Sequence, residues 1–150
     1  MIRIINGARR HQFSSDIDAM HRLRKRVFHD LLGWEVEVRD AAIVPLPTLE
    51  PRGAVAATVR IGDTRLRVVG MHLDISGLRR RQQARAILHH LAAGEDLPTI
   101  LMGDCNEWRN QGGCLHDFGE RHRLVDTGHS FHSRRPVARL DRIFASPDLQ

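Results

Sequence analysis

A short apolar segment, residues 98–103, constrains the fold of this 150-residue chain more than any other feature. Its sequence, Pro-Thr-Ile-Leu-Met-Gly, is typical of a strand that is covered on both faces. The preceding segment, 76–93, has apolar residues at helical spacing, namely Ala84, Ile87, Leu88 and Leu91. A glycine at position 94 ends that helix. A helix followed by a buried strand predicts an α/β fold with a mixed sheet and flanking helices.

Strand patterns occur on both sides of this unit. Segments 55–61 and 64–73 predict a hairpin, because Gly62-Asp63 between them is a two-residue turn that matches strand twist. Residues 140–146 predict a last strand, whereas 107–129 is mixed and loop-rich.

The region before the hairpin changes character twice. Residues 2–5 predict a strand and 15–32 a helix, so that 1–39 forms a strand-helix unit. Three prolines then interrupt residues 40–53, which predicts an irregular linker. We therefore expect a domain boundary there, with a second domain over 54–150.

Composition indicates the classes of partner. The formal net charge is +5, and Lys25 is the only lysine among 23 basic residues. A basic surface favours anionic partners such as nucleic acid and other phosphoesters, although an arginine-rich composition has no functional meaning by itself. No apolar run is long enough to span a membrane, and we expect a cytoplasmic location. Two cysteines without a CxxC motif make neither a disulfide framework nor a zinc ribbon.

Asp104 and Asn106 directly follow the buried strand and point the same way along an extended backbone. Ligands of open α/β sheets bind at such strand ends, and oxygen ligands of this kind suit Mg²⁺. Asp-x-Asn after a strand is also good turn chemistry, and spacing alone favours that structural interpretation.

Two further strands carry polar residues with catalytic potential. His72 ends the strand 64–73, where it can donate a hydrogen bond to a phosphate oxygen or act as an acid or base. Asp141 lies inside the last strand, where it can orient a histidine or form an ion pair with Arg139 or Arg142.

An arginine-rich helix start supplies a weaker candidate. Arg79 and Arg81, with Arg80 and Arg85, lie at the beginning of the predicted helix 76–93. These side chains are candidates for phosphate contacts, but such a run is more often a solvated face.

The order of these segments from about residue 44 to 150 resembles the endonuclease/exonuclease/phosphatase superfamily. The superfamily's G-D-x-N signature matches as Gly103-Asp104-Cys105-Asn106. The resemblance implies a partial DNase I-like sandwich and phosphoester hydrolysis of the phosphodiesterase or nuclease type, with Mg²⁺ or Mn²⁺ as cofactor.

The resemblance also implies roles for four residues. Asp104 would orient the attacking water and bind the metal, and Asn106 would support the metal and hold the scissile phosphate. His72 would stabilise charge on the phosphoryl oxygens. Asp141 would orient a catalytic histidine.

Two features of the family pattern are not recognisable in this sequence. An asparagine and a metal-binding glutamate are expected in early strands, but neither is evident before residue 54. The final S-D-H motif is not reached before residue 150. We therefore expect a domain truncated at both ends, with an incomplete catalytic set that could leave it inactive.

Residues 1–39 resemble the N-terminus of acyl-homoserine-lactone synthases. Arg24, Phe28 and Trp34 match residues that help to form the S-adenosylmethionine site in that family. The acidic motif that follows in the synthases is absent here. A synthase-like protein is therefore one alternative function, and a non-enzymatic basic module that binds nucleic acid is another.

A partial sandwich has a physical consequence. Half of a two-sheet fold leaves the inner face of its sheet uncovered, and an exposed apolar face of this kind drives association. We expect the chain to self-associate through that face.

Overall fold

A computed structural model describes residues 36–48, 52–132 and 134–149 of the chain. The predicted strand at 2–5 and the predicted helix at 15–32 lie outside the described residues. Among the helices that are described, none is long and apolar enough to cross a membrane.

Six strands and two helices make up the described part of the chain. In order they are β1 (Val36–Val44), β2 (Gly53–Ile61), β3 (Thr64–His72), α1 (Gly77–Ala92), β4 (Thr99–Asp104), α2 (Gly113–Gly119), β5 (Arg123–Val125) and β6 (Asp141–Ala145). The predicted hairpin, long helix, buried strand and last strand are confirmed within one or two residues. Within the loop-rich segment, α2 and β5 were not predicted, because a helix of 7 residues and a strand of 3 have no readable period.

All six strands form one mixed sheet in the order β1-β2-β3-β4-β6-β5. β2 and β3 are antiparallel, and β3 and β4 are parallel, with α1 as the connection between them. β6 runs antiparallel to both β4 and β5. The mixed α/β fold class is therefore confirmed.

The loop prediction for 40–53 is wrong over its first part. Residues 40–44 continue β1, which lies at the edge of the sheet beside β2. The run Ala-Ala-Ile-Val at 41–44 can pair as a strand because the first proline comes only at position 45. The predicted domain boundary in this region stays a prediction.

One face of the sheet carries the core. Val69 and Met71 of β3, Leu101 of β4 and Phe144 of β6 project from this face and are buried. They pack with apolar residues of both helices, including Ala84, Ile87, Cys114, Leu115 and Phe118. Both helices therefore cover the same face, which we call the helix face.

The opposite face also carries apolar side chains. Val55 and Met102 project from it and are exposed, as is Ile43 of β1. Neither α1 nor α2 packs there. Self-association through this face stays a prediction.

Candidate active site

The three candidate residues on strands form one row across the sheet. His72 at the end of β3 pairs in register with Asp104 of β4, and Asp104 pairs with Asp141 of β6. Side chains of register partners project from the same face of a sheet. Since Met71 projects into the core, His72 and the rest of the row project from the face opposite the helices.

The row is open to solvent. His72 Nε2 lies 3.6 Å from Asp104 Oδ2, and the two side chains are 51% and 34% exposed. Arg52, just before β2, also brings its guanidinium against both ring nitrogens of His72. With Arg52, the row therefore brings two carboxylates, an imidazole and a guanidinium together at one end of the central strands.

Asn106 is fixed by two hydrogen bonds at the end of β4. Its backbone N–H donates to Asp104 Oδ1 at 2.8 Å, and its Nδ2 donates to the Leu73 carbonyl at 2.8 Å. The first bond makes the Asp-x-Asn turn that the structural interpretation predicts, and asparagine tolerates the positive φ of 48° found there. The second bond leaves the amide oxygen of Asn106 available as a ligand. The same two residues therefore form a turn and also present oxygen atoms beside the row.

Gly103 allows β3 and β4 to approach closely below the row. Its φ is +140°, and a Cβ at this position would lie 1.9 Å from the Met71 carbonyl oxygen. The Leu73 N–H then donates to the Asp104 carbonyl at 2.8 Å, one step further along the strands. Glycine at this position therefore sets the spacing between His72 and Asp104.

Asp141 is held through its backbone. Its N–H donates to Ser130 Oγ at 3.1 Å. Arg139 instead pairs with Asp126 at 3.0 Å, and Arg142 projects from the helix face, where its Nη2 donates to the Arg109 carbonyl at 3.4 Å. Among the described residues we find no histidine bonded to the Asp141 carboxylate, so its orienting role stays a prediction.

The arginines of α1 bind carboxylates on the helix face. Arg81 and Arg85 contact Asp117 of α2 at 3.2 and 3.4 Å. Arg79 is partly buried. Because the row projects from the other face, phosphate contacts by Arg79 and Arg81 stay a prediction without geometric support.

A second group of polar residues lies buried on the helix face. Arg80 Nη2 donates to Glu107 Oε2 at 3.0 Å. The side chain of Arg80 is 9% exposed and that of Glu107 is 7% exposed. Gln83 accepts a bond from the Asp74 N–H at 2.8 Å and donates to the Pro47 carbonyl at 3.2 Å. We call these residues, with Asp117, the buried polar layer. Sequence reasoning missed the ion pair because neither partner carries a signal of burial.

Both cysteines lie in this buried region. Burial raises the pKa of the Cys105 thiol well above its usual range, and burial raises the pKa of the Cys114 thiol to about 11. Both thiols therefore stay protonated at neutral pH and are poor nucleophiles or metal ligands.

The row presents carboxylate oxygens, which are hard ligands. Asp104 and Asp141 are direct neighbours on adjacent strands, and two like charges in this relation repel unless a cation lies near them. Carboxylate and amide oxygens are the ligands that Mg²⁺ prefers, and Mg²⁺ keeps several waters and binds through one or two carboxylates. Within the described ranges, no cluster of three or more His, Cys, Asp or Glu side chains is close enough to enclose a metal. Metal binding at the row therefore stays a prediction.

Comparison with known families decides the classification. The model of the Endonuclease/Exonuclease/phosphatase family matches residues 8–150. The chain belongs to this family. Because the match begins at residue 8, it covers most of the segment that resembles acyl-homoserine-lactone synthases. No comparison supports the synthase resemblance, and its residues Arg24, Phe28 and Trp34 lie outside the described residues.

Several solved structures share the fold of this chain. One is D. rerio TDP2 complexed with a single-strand DNA product, at 22% identity and a TM-score of 0.59, covering 74% of this chain and 53% of that one. Another is a Bacteroides thetaiotaomicron mannosyl-6-phosphatase, at 18% identity and a TM-score of 0.59, covering 75% and 53%. A third is the human nocturnin catalytic domain, at 18% identity and a TM-score of 0.55, covering 75% and 48%.

The family member described here spans about half the length of these structures. At these identities the likeness establishes the fold. No curated protein matches the chain.

Proposed function

We propose that the chain carries the centre of a metal-dependent phosphoester hydrolase of the phosphodiesterase or nuclease type. The row of His72, Asp104 and Asp141 carries this proposal, because three separate strands bring these residues into one register. The carboxyl ends of the parallel strands β3 and β4 meet there, which is where open α/β sheets bind ligands.

The proposal gives each residue a role. Asp104 and the Asn106 amide oxygen would hold Mg²⁺ or Mn²⁺ with water, and Asp141 would add a nearby negative charge. When bound, the ion supplies Lewis-acid polarisation of the phosphoryl oxygen. The Asp104 carboxylate would also orient the attacking water by accepting a hydrogen bond from it.

Arg52 would supply positive charge, and both Arg52 and His72 would supply hydrogen bonds. The Arg52 guanidinium lies against the imidazole of His72, which is itself beside Asp104. Both groups can donate to phosphoryl oxygens as negative charge develops on them. Donors that are already in position are typically worth roughly a hundredfold or more in rate.

Relatives support the reaction class and leave the substrate open. TDP2 is found with a single-strand DNA product, whereas another neighbour is a mannosyl-6-phosphatase. Both substrates are phosphoesters. We extend phosphoester hydrolysis to this chain. We also propose that the protein acts in the cytoplasm.

Metal binding and hydrolysis together test this proposal. Mn²⁺ binding is followed by electron paramagnetic resonance, and hydrolysis of bis(4-nitrophenyl) phosphate is followed with Mg²⁺ or with chelator. We compare the wild type with Asp104→Ala and with the control Asp63→Ala. Asp63 lies in the β2–β3 turn, at the other end of these strands.

The wild type and Asp63→Ala are expected to bind Mn²⁺ equally. Asp104→Ala is expected to bind it at least about tenfold more weakly, since it removes a charged ligand. Hydrolysis that needs the metal and is lost in Asp104→Ala supports the proposal. Equal Mn²⁺ affinity in all three proteins, or hydrolysis that persists in chelator, contradicts it.

A further inference from the structure

Two large aromatic side chains are exposed together on the surface. Trp108 is 64% exposed and Phe131 is 41% exposed. Their ring centroids lie 5.6 Å apart with an interplanar angle of 79°, which is an edge-to-face pair. Large aromatic rings are normally buried, so an exposed pair of this kind calls for a partner.

Each ring of the pair lies close along the chain to a residue that is part of, or bonded to, the proposed active site. Trp108 follows Asn106 by two residues, so its Cα lies within about 7 Å of the Cα of Asn106. Phe131 is adjacent to Ser130, whose Oγ accepts a hydrogen bond from the Asp141 N–H at 3.1 Å. The pair is therefore anchored beside both Asn106 and Asp141.

Three arginines lie close to the pair in sequence. Arg109 follows Trp108 directly, and Arg134 and Arg135 follow Phe131 within four residues. All three arginines are exposed. Exposed aromatic rings among arginines match a polyanion that carries flat bases, because the rings stack on bases while the guanidinium groups bind phosphates.

We propose that Trp108 and Phe131 form a stacking subsite for an unpaired nucleobase, so that the substrate is a phosphodiester in single-stranded nucleic acid. This inference rests on the proposed function for the position of the scissile phosphate. An unpaired base has a free face for stacking, whereas bases inside a duplex already stack on their neighbours. A sugar phosphate or lipid head group would leave the two rings without a partner.

Binding of two oligomers tests this subsite without any turnover. Fluorescence anisotropy in chelator, at one fixed salt concentration, measures the affinity for a labelled oligothymidylate and for an abasic oligomer of equal length. The two ligands have the same phosphate backbone and differ only in their bases. The wild type is expected to prefer the oligothymidylate by roughly 5- to 100-fold.

Three variants assign that preference to the rings. Trp108→Ala and Phe131→Ala are each expected to reduce the preference for oligothymidylate, while affinity for the abasic oligomer stays unchanged. Trp108→Phe should retain much of the preference, because it keeps a stacking surface. Ile61→Ala is the control, since Ile61 is an exposed apolar residue at the far end of β2. Circular dichroism confirms that each variant is folded.

The two proposals can fail separately. Equal affinity of the wild type for both oligomers overturns the stacking subsite, and so does a preference that is undiminished in both alanine variants. Metal-dependent hydrolysis observed alongside such a result would leave the proposed function intact. Conversely, a base preference that depends on Trp108 supports the subsite even if no hydrolysis is detected.

Discussion

Polar side chains are buried and paired on one face of the sheet, whereas on the other face they are open to solvent. On the helix face, Arg80 and Glu107 are buried and bonded to each other at 3.0 Å. On the other face, His72 and Asp104 are open to solvent and lie 3.6 Å apart, a looser contact than a normal hydrogen bond. In the buried polar layer the charged groups bond to each other, although Arg80 Nε itself has no hydrogen-bond partner among the described residues. The side chains of the row are instead open to solvent.

This difference distinguishes charged groups that stabilise the fold from charged groups that are available for catalysis. A buried ion pair must be satisfied internally, because an unpaired charge away from water costs several kcal/mol. Catalytic side chains must instead keep atoms free for a substrate and a metal. The comparison therefore predicts large stability effects for substitutions in the buried polar layer and large activity effects for substitutions in the row.

The largest stability effect is expected for Arg80→Met. The substitution leaves Glu107 buried without its partner, and breaking such a pair typically costs about 3–5 kcal/mol of the free energy of unfolding. Arg65→Met is the matched control, since Arg65 pairs with Glu95 at 2.7 Å on the surface, and there we expect little change. Urea unfolding measures both. A similar small loss in the two variants would show that the buried pair is not structurally special.

A smaller loss of stability is expected for a substitution at Gly103, where β3 and β4 approach each other closely. Gly103→Ala places a methyl group against the Met71 carbonyl oxygen at a φ of +140°, which should destabilise the fold by about 1–3 kcal/mol. Gly70→Ala is the control, because a Cβ at Gly70 meets nothing within 4 Å. Thermal unfolding of both variants provides the measurement. If Gly103→Ala were as stable as Gly70→Ala, the close approach of β3 and β4 would be disproved.

The smallest effect is expected in the pH dependence of stability, through His122. Desolvation lowers the pKa of His122 below its ordinary value of 6.5, although a hydrogen bond to the Phe118 carbonyl opposes the shift. Below pH 6.5 the unfolded chain therefore binds more protons than the folded one, so stability falls as pH falls through the pKa of the folded state. Above that range the group contributes no pH dependence.

His122→Gln is expected to flatten this part of the acid decline. His116→Gln is the control, since the His116 side chain is exposed on α2. Unfolding free energies measured from pH 5 to pH 8 compare the two. Identical pH profiles for His122→Gln and the wild type would contradict the role assigned to burial.

Local elements were readable from the sequence because their signals are local. The helix period of 76–93 and the turn Gly62-Asp63 both depend on residues close in sequence, and both are confirmed. Asp104 and Asn106 were found because they directly follow a strand that composition makes recognisable. The β1 strand was missed, because no strand was predicted over 36–39 and nearby prolines outweighed the short apolar run at 41–44.

The arrangement of the site depends on register, which a single sequence does not specify. His72 and Asp141 were singled out separately, but their common row with Asp104 follows from strand order and pairing across 69 residues of chain, from 72 to 141. Arg52 was missed for the same reason, since it reaches His72 from 20 positions earlier. Burial of Arg80 was also unreadable, because arginine is seldom buried unless it is paired.

The most direct test compares one isosteric substitution on each face. Asp104→Asn and Glu107→Gln each remove one charge and preserve shape. For each, Mg²⁺-dependent hydrolysis of a phosphodiester is measured per folded molecule, together with the melting temperature. We predict that Asp104→Asn loses at least about a hundredfold in activity and stays as stable as the wild type, whereas Glu107→Gln is less stable but active when folded. Full activity in Asp104→Asn, or lost activity in a folded and stable Glu107→Gln, would contradict it.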